Sequence, residues 1–138
     1  HAAARGLGLA WNVPVCGATT LDVYAHGLLA TQRPFAILID ARRGAFYRQV
    51  YNDGAASQPR LVPADGPLAG LGPDVALAGP GAQHVDRQGR AHLATPPHLP
   101  VGDLARMAAA GQAMRPPSPL YLRDADARPQ AHAALSRA

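Results

Sequence analysis

The sequence predicts an α/β protein with a two-lobed framework, and three observations support this class. Two β-rich runs flank Arg-Arg-Gly within residues 35–51, which is the pattern of a β-hairpin. Stretches with helical spacing of apolar residues lie on both sides of that hairpin. Hydrophobic residues make up 48% of the 138 residues, which excludes a disordered chain and allows one domain with a real core or two small lobes.

Charge and cysteine content narrow the class of protein. The net charge of +4 allows contact with an acidic partner. Cys16, the single cysteine, cannot form an internal disulfide, and its apolar surroundings predict a buried side chain. No apolar run approaches the length of a membrane span, and no signal peptide opens the chain. The sequence therefore predicts a soluble cytoplasmic protein that does not enter a membrane.

The first eleven residues are predicted to form a helix. No capping residue precedes it, so we expect the chain to begin inside an element. Gly6 and Gly8 would each cost about 1 kcal/mol relative to Ala inside a helix, and some contact should offset that cost. Ala2, Gly6 and Ala10 recur at four-residue spacing. Together with Gly8, they predict a face that packs closely against another helix, either within the chain or on a partner subunit.

The next elements are a strand, a helix and the hairpin. Residues 13–18 are predicted to form a short strand. Thr19 or Thr20 is placed to cap a second helix that has Asp22 in its first turn. The hairpin over residues 35–51 follows, and its first run is almost wholly apolar. That run is therefore predicted to be a central strand of the sheet.

Short elements fill the remainder of the chain. Residues 60–64 and 74–82 are predicted to contain short strands, the second running into a turn. The proline-rich residues 82–100 are predicted to be mostly irregular. A helix is predicted from Gly102 to about Met114. An extended tail should follow, packed through residues 120–122.

Asp40 raises the question of a catalytic carboxylate, because it ends the first hairpin strand. Metal or phosphate sites at a strand end need several carboxylates or a glycine-rich cradle, whereas this turn carries two arginines and one glycine. Asp40 is therefore predicted to accept hydrogen bonds from turn amides or to pair with Arg42 or Arg43. These two arginines and Arg48 form the only local basic cluster, which favours a solvated surface, with contact to RNA as the alternative.

Other chemistry-bearing residues fit no catalytic pattern. The spacing of His84, His92 and His98 matches no closed metal site. The glycines of residues 78–82 favour a plain turn over a phosphate loop, because Pro80 removes a backbone donor. No serine lies in a nucleophile-elbow pattern. The residues alone therefore predict no catalytic group, no metal and no cofactor.

Three stretches of the sequence resemble the bacterial TsaB (YeaZ) family. They are "ARGLGLAWNVPVCGATTLDVYA", "AILIDARRGAFYRQVY" and "PLYLRDADARPQ". In that order they resemble the family's small-residue helix, short strand, Thr-Leu-capped helix, hairpin and C-terminal tail. The N-terminal strands of the family, and its glycine-rich turn, would precede His1.

The resemblance implies an actin-like, ribonuclease-H-like fold, with residues 1–32 as a remnant of the N-terminal lobe and 33–138 as the C-terminal lobe. It implies a non-catalytic subunit that supports a TsaD-like catalytic subunit, together with a TsaE-like ATPase, in forming threonylcarbamoyladenosine beside the tRNA anticodon. It also implies a homodimer when TsaD is absent, and contact with tRNA through the complex. The alternative is an actin-like superfamily enzyme, either ATP-dependent or a glycoprotease-like peptidase, which a phosphate loop and paired carboxylates would favour.

Overall fold

A mixed five-stranded sheet forms the centre of the chain in the computed structural model, which describes residues 2–112 and 114–122. Its strands are β1 (Phe35–Asp40), β2 (Ala45–Asn52), β3 (Ala55–Ala56), β4 (Arg60–Pro63) and β5 (Ala76–Ala78). Strand β1 lies between β2, to which it is antiparallel, and β5, to which it is parallel. Strands β3 and β4 both pair with the outer edge of β2. The predicted hairpin, with a central first strand, is confirmed.

Three α-helices accompany the sheet in the described residues: α1 (Ala2–Trp11), α2 (Thr20–His26) and α3 (Val101–Ala110). Helix α2 begins as predicted, because the Thr19 side chain accepts a hydrogen bond of 3.0 Å from the Asp22 amide. Helix α3 ends earlier than the predicted Met114. Gly111 adopts φ 65 there and closes the last turn through its own amide.

The two faces of the sheet are covered by different parts of the chain. Helix α2 covers one face, where Leu21, Tyr24 and Ala25 pack with Phe35, Ile37 and Tyr51. Loops after β4 and β5 cover the other face, where Leu68, Val75 and Ala82 pack with Leu38, Phe46 and Leu77. Helix α3 packs on α2 and buries Met107. The period-two alternation of the hairpin strands assigns their side chains to these two cores.

Residues 13–18 do not form the predicted strand. Among the described residues, the β-pairing of this segment consists of one bridge, in which Gly17 and Arg115 exchange two hydrogen bonds of 2.8 Å. A strand needs a neighbour over several residues, and apolar sequence alone cannot supply one. The Cys16 side chain is exposed, so its predicted burial is wrong. Without a neighbouring strand, this segment has nothing to cover that side chain.

Of the tail residues predicted to pack, Leu122 is partly buried, whereas Leu120 and Tyr121 are exposed. Leu120 is 47% exposed and Tyr121 is 82% exposed. Three prolines lie in residues 116–119, and their lack of backbone N–H groups denies this segment the ladder bonds that would hold it to a sheet. Residues 123–130 of the stretch that resembles the family tail lie outside the described residues.

Two glycines allow the loop after β5 to lie directly on β1. A Cβ on Gly79, whose φ is +88, would be 2.6 Å from the Leu38 carbonyl oxygen. A Cβ on Gly81 would be 2.9 Å from that same oxygen and 3.0 Å from Phe46. The amide of Gly81 donates to it at 2.8 Å. Close packing on β1 therefore accounts for glycine at both positions.

We expect Gly81→Ala to lower the free energy of unfolding by about 1–3 kcal/mol, because the new methyl group would press on the backbone of β1. Gly66→Ala is the matched control, since a Cβ there meets only the Ala69 methyl group at 3.9 Å. Urea denaturation of both variants measures the difference. Equal stability of the two variants would contradict the packing role of Gly81.

Candidate partner-binding surface

Most of the surface of helix α1 is exposed. Gly8 is its buried residue, and it lies against the segment that follows the helix. The large apolar side chains of the helix are exposed: Leu7 48%, Leu9 85% and Trp11 68%. Arg5 is the one charged residue of this helix, and a helix that is otherwise so apolar is normally buried. Helix α1 therefore presents apolar surface that the described chain leaves uncovered.

The exposed residues of α1 fall on distinct sides of the helix. Ala2, Gly6 and Ala10 lie in one row at four-residue spacing, and we call this row the small-residue face. Leu9 borders it. Leu7 and Trp11 form a second apolar row on another side of the helix.

The structure separates the four residues predicted to form the packing face. Gly6 is open, since a Cβ there would meet nothing within 4 Å. Gly8 points away from Gly6, and a Cβ on it would overlap the Val15 side chain and lie 3.1 Å from the Val13 carbonyl oxygen. Residues two positions apart on a helix do not share a side, so Gly8 cannot belong to the row of Ala2, Gly6 and Ala10. Gly8 serves a contact within the chain, whereas Ala2, Gly6 and Ala10 are exposed.

The end of α1 explains how Gly8 meets the following segment. Asn12 adopts φ 50 and donates to the Leu9 carbonyl at 3.3 Å, and the Val13 amide donates to the Gly8 carbonyl at 3.0 Å. These two bonds form a Schellman motif, which reverses the chain direction at the helix end. Val15 is thereby brought back onto Gly8.

A largely apolar groove of about 550 Å³ lies between this segment and the tail. Val15 to Thr20 form one wall, and Arg115 to Leu120 form the other. Leu21, Ile39 and Tyr47 also line it. Helix α1 contributes Ala4 to the lining. The groove is therefore bordered by α1, the segment after it, the tail and the sheet.

A buried carboxylate stands beside this groove. Asp22 is 7% exposed, and its Oδ1 accepts a hydrogen bond of 3.0 Å from the Tyr51 hydroxyl. Its Oδ2 accepts one of 2.7 Å from Thr19 Oγ1 and lies 3.8 Å from Arg115 Nη2. Burial, followed by the charge and the hydrogen bond of Asp22, raises the pKa of the Tyr51 hydroxyl. Both carboxylate oxygens have structural partners, so this arrangement anchors α2 to the sheet.

Sequence reasoning placed Asp22 only at the start of α2 and missed its second role. The partner hydroxyl belongs to Tyr51, 29 positions along the chain. The sequence signal for this contact was the position of Tyr51 near the end of a hairpin strand, on the face that α2 covers. Pairing across such a distance depends on how α2 docks, which local patterns do not specify.

The three clustered arginines have different roles. Arg48 Nη1 donates to the Pro67 and Ala69 carbonyl oxygens at 2.8 Å and 2.9 Å, so it fixes the loop after β4. Burial, and secondarily the charge of Arg60, lowers the pKa of Arg48. Arg42 and Arg43 are exposed on the hairpin turn, where they adopt φ 60 and φ 51. These two remain predicted RNA contacts.

Asp40 has the turn-forming role that was predicted. Its Oδ1 accepts a hydrogen bond of 2.6 Å from the Arg42 amide, and the carboxylate is at the exposed end of β1. This interaction is the local side-chain-to-amide bond that is typical of turns.

Within residues 2–112 and 114–122, no three His, Cys, Asp or Glu side chains are grouped as they would be around a metal ion. His84, His92 and His98 are each exposed. None of the helices in this part of the chain has the length and apolar character needed to cross a membrane.

Comparison with known proteins assigns the architecture. No protein-family model and no curated protein matches the chain. One solved structure, described as an uncharacterized protein with similarity to peptidase YeaZ from Pseudomonas aeruginosa, matches 86% of this chain with 24% identity and a TM-score of 0.61. YeaZ from Pseudomonas aeruginosa matches 80% with 23% identity and a TM-score of 0.55.

The chain has a YeaZ-like fold. The predicted resemblance to YeaZ proteins and the predicted α/β class are confirmed at that level. This chain spans 63% of the first neighbour and 59% of the second. The activity and partners of a whole YeaZ protein therefore enter below as proposals.

Stability should fall at alkaline pH through Tyr51. Its folded-state pKa lies above the ordinary tyrosine value of about 10, so the unfolded chain releases this proton first. The stabilising contribution is complete below about pH 10 and is lost as pH rises toward the folded-state pKa. Urea denaturation between about pH 8 and about pH 11 measures this loss.

Tyr51→Phe should flatten the alkaline decline, because the titrating hydroxyl is gone. At about pH 8 it should also lower the free energy of unfolding by about 1–3 kcal/mol, since Asp22 loses a buried donor. Tyr121→Phe is the control, because that ring is 82% exposed. A decline in Tyr51→Phe as steep as in the unmodified chain would refute the assignment.

Proposed function

We propose that this chain is a TsaB-like, non-catalytic subunit that supports a TsaD-like catalytic subunit in forming threonylcarbamoyladenosine next to the anticodon of tRNAs. The observation that carries the proposal is the exposed small-residue face of α1 on a chain with a YeaZ-like fold. A face of this kind fits a helix of another subunit, whereas it offers no chemistry of its own.

The dimensions of the small-residue face support a helix as its partner. At Gly6 the space outside the helix is open to at least 4 Å from a Cβ position, so another backbone can approach closely. Close approach increases the number of dispersion contacts, which are individually weak and collectively large. Leu9, at 85% exposure, borders the face and would lose apolar surface to water when a partner helix docks. The surface therefore combines small residues, which let a partner helix approach closely, with Leu9, whose apolar side chain that partner would bury.

The remaining parts of the proposal follow from the family that the sequence resembles. A TsaE-like ATPase would join the complex, tRNA would be contacted through it, and a homodimer would form where TsaD is absent. The two-lobed actin-like division near residue 32 and a cytoplasmic location belong to the same proposal. The basic character of the chain, with a net charge of +4, supports work in a complex that handles RNA.

The enzyme alternative rests on the first neighbour, which is described by its similarity to a peptidase. The two carboxylates that invite a catalytic reading, Asp22 and Asp40, both accept structural hydrogen bonds in the described chain. A general base must instead lie within reach of a substrate proton. This difference supports a non-catalytic subunit over a peptidase or an ATP-dependent enzyme.

Gly6→Leu should weaken binding to a TsaD-like subunit by about tenfold or more, because the larger side chain would hold the two helices apart. Its melting temperature should stay close to that of the unmodified chain, since Leu is a good helix former and nothing lies within 4 Å of Gly6. Titration by calorimetry and a thermal melt on the same sample measure both quantities.

Gly8→Leu is the matched variant for that experiment. A side chain on Gly8 would collide with Val15, so we expect a lower melting temperature. Unchanged affinity in Gly6→Leu, with the partner competent to bind the unmodified chain, would place the interface elsewhere.

Asp40→Asn should leave the rate of tRNA modification by the reconstituted complex nearly unchanged, because Asp40 holds a turn amide and no reacting group. Removal of a general acid or base typically costs about a hundredfold or more. A loss of that size in a folded variant would assign a catalytic role. The purified chain alone should hydrolyse neither peptides nor ATP, and steady turnover abolished by one substitution in it would favour the enzyme alternative.

A further inference from the structure

We infer that Arg48 and Arg60 together form a binding site for a phosphate group, at the outer edge of the sheet and on the face that the loop after β4 covers in part. The ligand is an anion with two negative charges and oxygen atoms that point in several directions, such as inorganic phosphate or a phosphate monoester. The inference concerns this chain alone and does not depend on the proposed function.

Strand pairing brings the two guanidinium groups together. Arg48 of β2 lies directly opposite Arg60 of β4 in the antiparallel register. Side chains of opposite residues leave the same face of a sheet, with their Cβ atoms about 4.5–5.5 Å apart. The neighbouring pair on this face, Phe46 and Val62, is buried. Exposure increases outward along the row, since Leu38 is fully buried, Arg48 is half-buried and Arg60 is exposed.

This like-charged pair has no neutralising partner in the described chain. Like charges directly opposite each other in a sheet are destabilising. The ion pairs that the described side chains form involve neither Arg48 nor Arg60. Burial and the charge of Arg60 both lower the pKa of Arg48, and no carboxylate acts in the opposite direction. An anion between the two groups would replace this repulsion with attraction.

Arg48 is held in place and keeps donors that the loop does not use. Its Nη1 donates to the Pro67 and Ala69 carbonyl oxygens at 2.8 Å and 2.9 Å. Its Nη2 and Nε atoms form no hydrogen bond with the described residues. Solvent reaches them, because the buried side-chain polar atom without a partner in the described chain is Gln49 Oε1. A ligand therefore meets donors that are already positioned, which lowers the entropic cost of binding.

A phosphate group fits this pair better than a carboxylate does. A guanidinium binds an oxyanion through charge-assisted N–H···O bonds of about 2.7–2.9 Å. A carboxylate has a single charge and its oxygens lie in one plane, so one arginine fork satisfies it. A phosphate dianion has oxygens on several sides. It can therefore accept from both guanidinium groups and match their total charge.

NMR titration of the 138-residue chain with inorganic phosphate is the direct test, at about pH 7.5, where phosphate is mainly dianionic. We expect saturable shifts of the Arg48 and Arg60 Nε–H resonances, with a Kd on the order of 1–10 mM. Sodium acetate at equal ionic strength should bind at least about tenfold more weakly. Equal binding of acetate would overturn the assignment to phosphate.

Glycerol 3-phosphate distinguishes the two sources of the same chemical group. Comparable shifts with glycerol 3-phosphate would support a site that accepts phosphate esters. Shifts with inorganic phosphate alone would support a site for the free ion. Absence of shifts at both arginines with either compound would overturn the inference.

Arg60→Gln is the decisive variant, because it removes one guanidinium from an exposed position and leaves the contacts of Arg48 with the loop. Arg5→Gln is the matched control, since it removes the same charge from an exposed position on α1. The affinity for phosphate should fall at least about tenfold in Arg60→Gln and stay unchanged in Arg5→Gln. Equal affinity in the two variants would overturn the inference and identify phosphate as an adventitious ion only.

Thermal melts of the same proteins give a second readout. Without phosphate and at low ionic strength, Arg60→Gln should melt at least as high as the unmodified chain, because the repulsion is gone. At about 50 mM phosphate, the unmodified chain should gain about 2–6 °C more than Arg60→Gln, since a ligand of the folded state stabilises it. Phosphate also stabilises proteins in general by exclusion from their surface, and the difference between the two proteins removes that effect. Equal gains would overturn the inference.

Discussion

The pairing of β1 between β2 and β5 is the constraint on which the rest of this chain depends. Ala36, Ile37 and Leu38 have no exposed surface, and their side chains alternate between the two cores. Because β1 is covered on both faces and paired on both edges, every covering element is positioned by it. Helix α2 docks on one face, and the loops after β4 and β5 close the other. Removal of any neighbour would expose backbone and side chains together.

The charged groups near the sheet serve this architecture. Asp22 accepts from Tyr51 and Thr19, Asp40 holds the hairpin turn, and Arg48 holds the loop after β4. Each has an identifiable structural partner. The small-residue face of α1 and the adjoining Leu9 are apolar and exposed, and this surface is the basis for proposing a binding role for this chain.

Sequence reasoning succeeded where structure is set by near neighbours. Two β-rich runs around Arg-Arg-Gly located the hairpin, and a threonine cap at Thr19 or Thr20 located the start of α2. It failed for residues 13–18, because a strand exists only beside another strand and local composition contains no information about that neighbour. Four-residue spacing grouped Gly6 with Ala2 and Ala10, and a Cβ on Gly6 would meet nothing within 4 Å. It could not reveal that Gly8 turns inward, since Val15 reaches Gly8 only after the reversal at Asn12.

The parallel pairing of β1 with β5 has a consequence for the order in which the chain acquires its fold. The hairpin partners β1 and β2 are joined by a short turn, whereas β5 begins at Ala76, after β3 and β4. Closing a longer loop costs more chain entropy, and hairpins form within microseconds. The antiparallel pair can therefore assemble early, while the second edge of β1 stays unpaired until a distant segment reaches it. Until Ala76 to Ala78 arrive, that edge is a bare template for any other extended chain, so the slowest pairing of the sheet is also the step most exposed to misassociation.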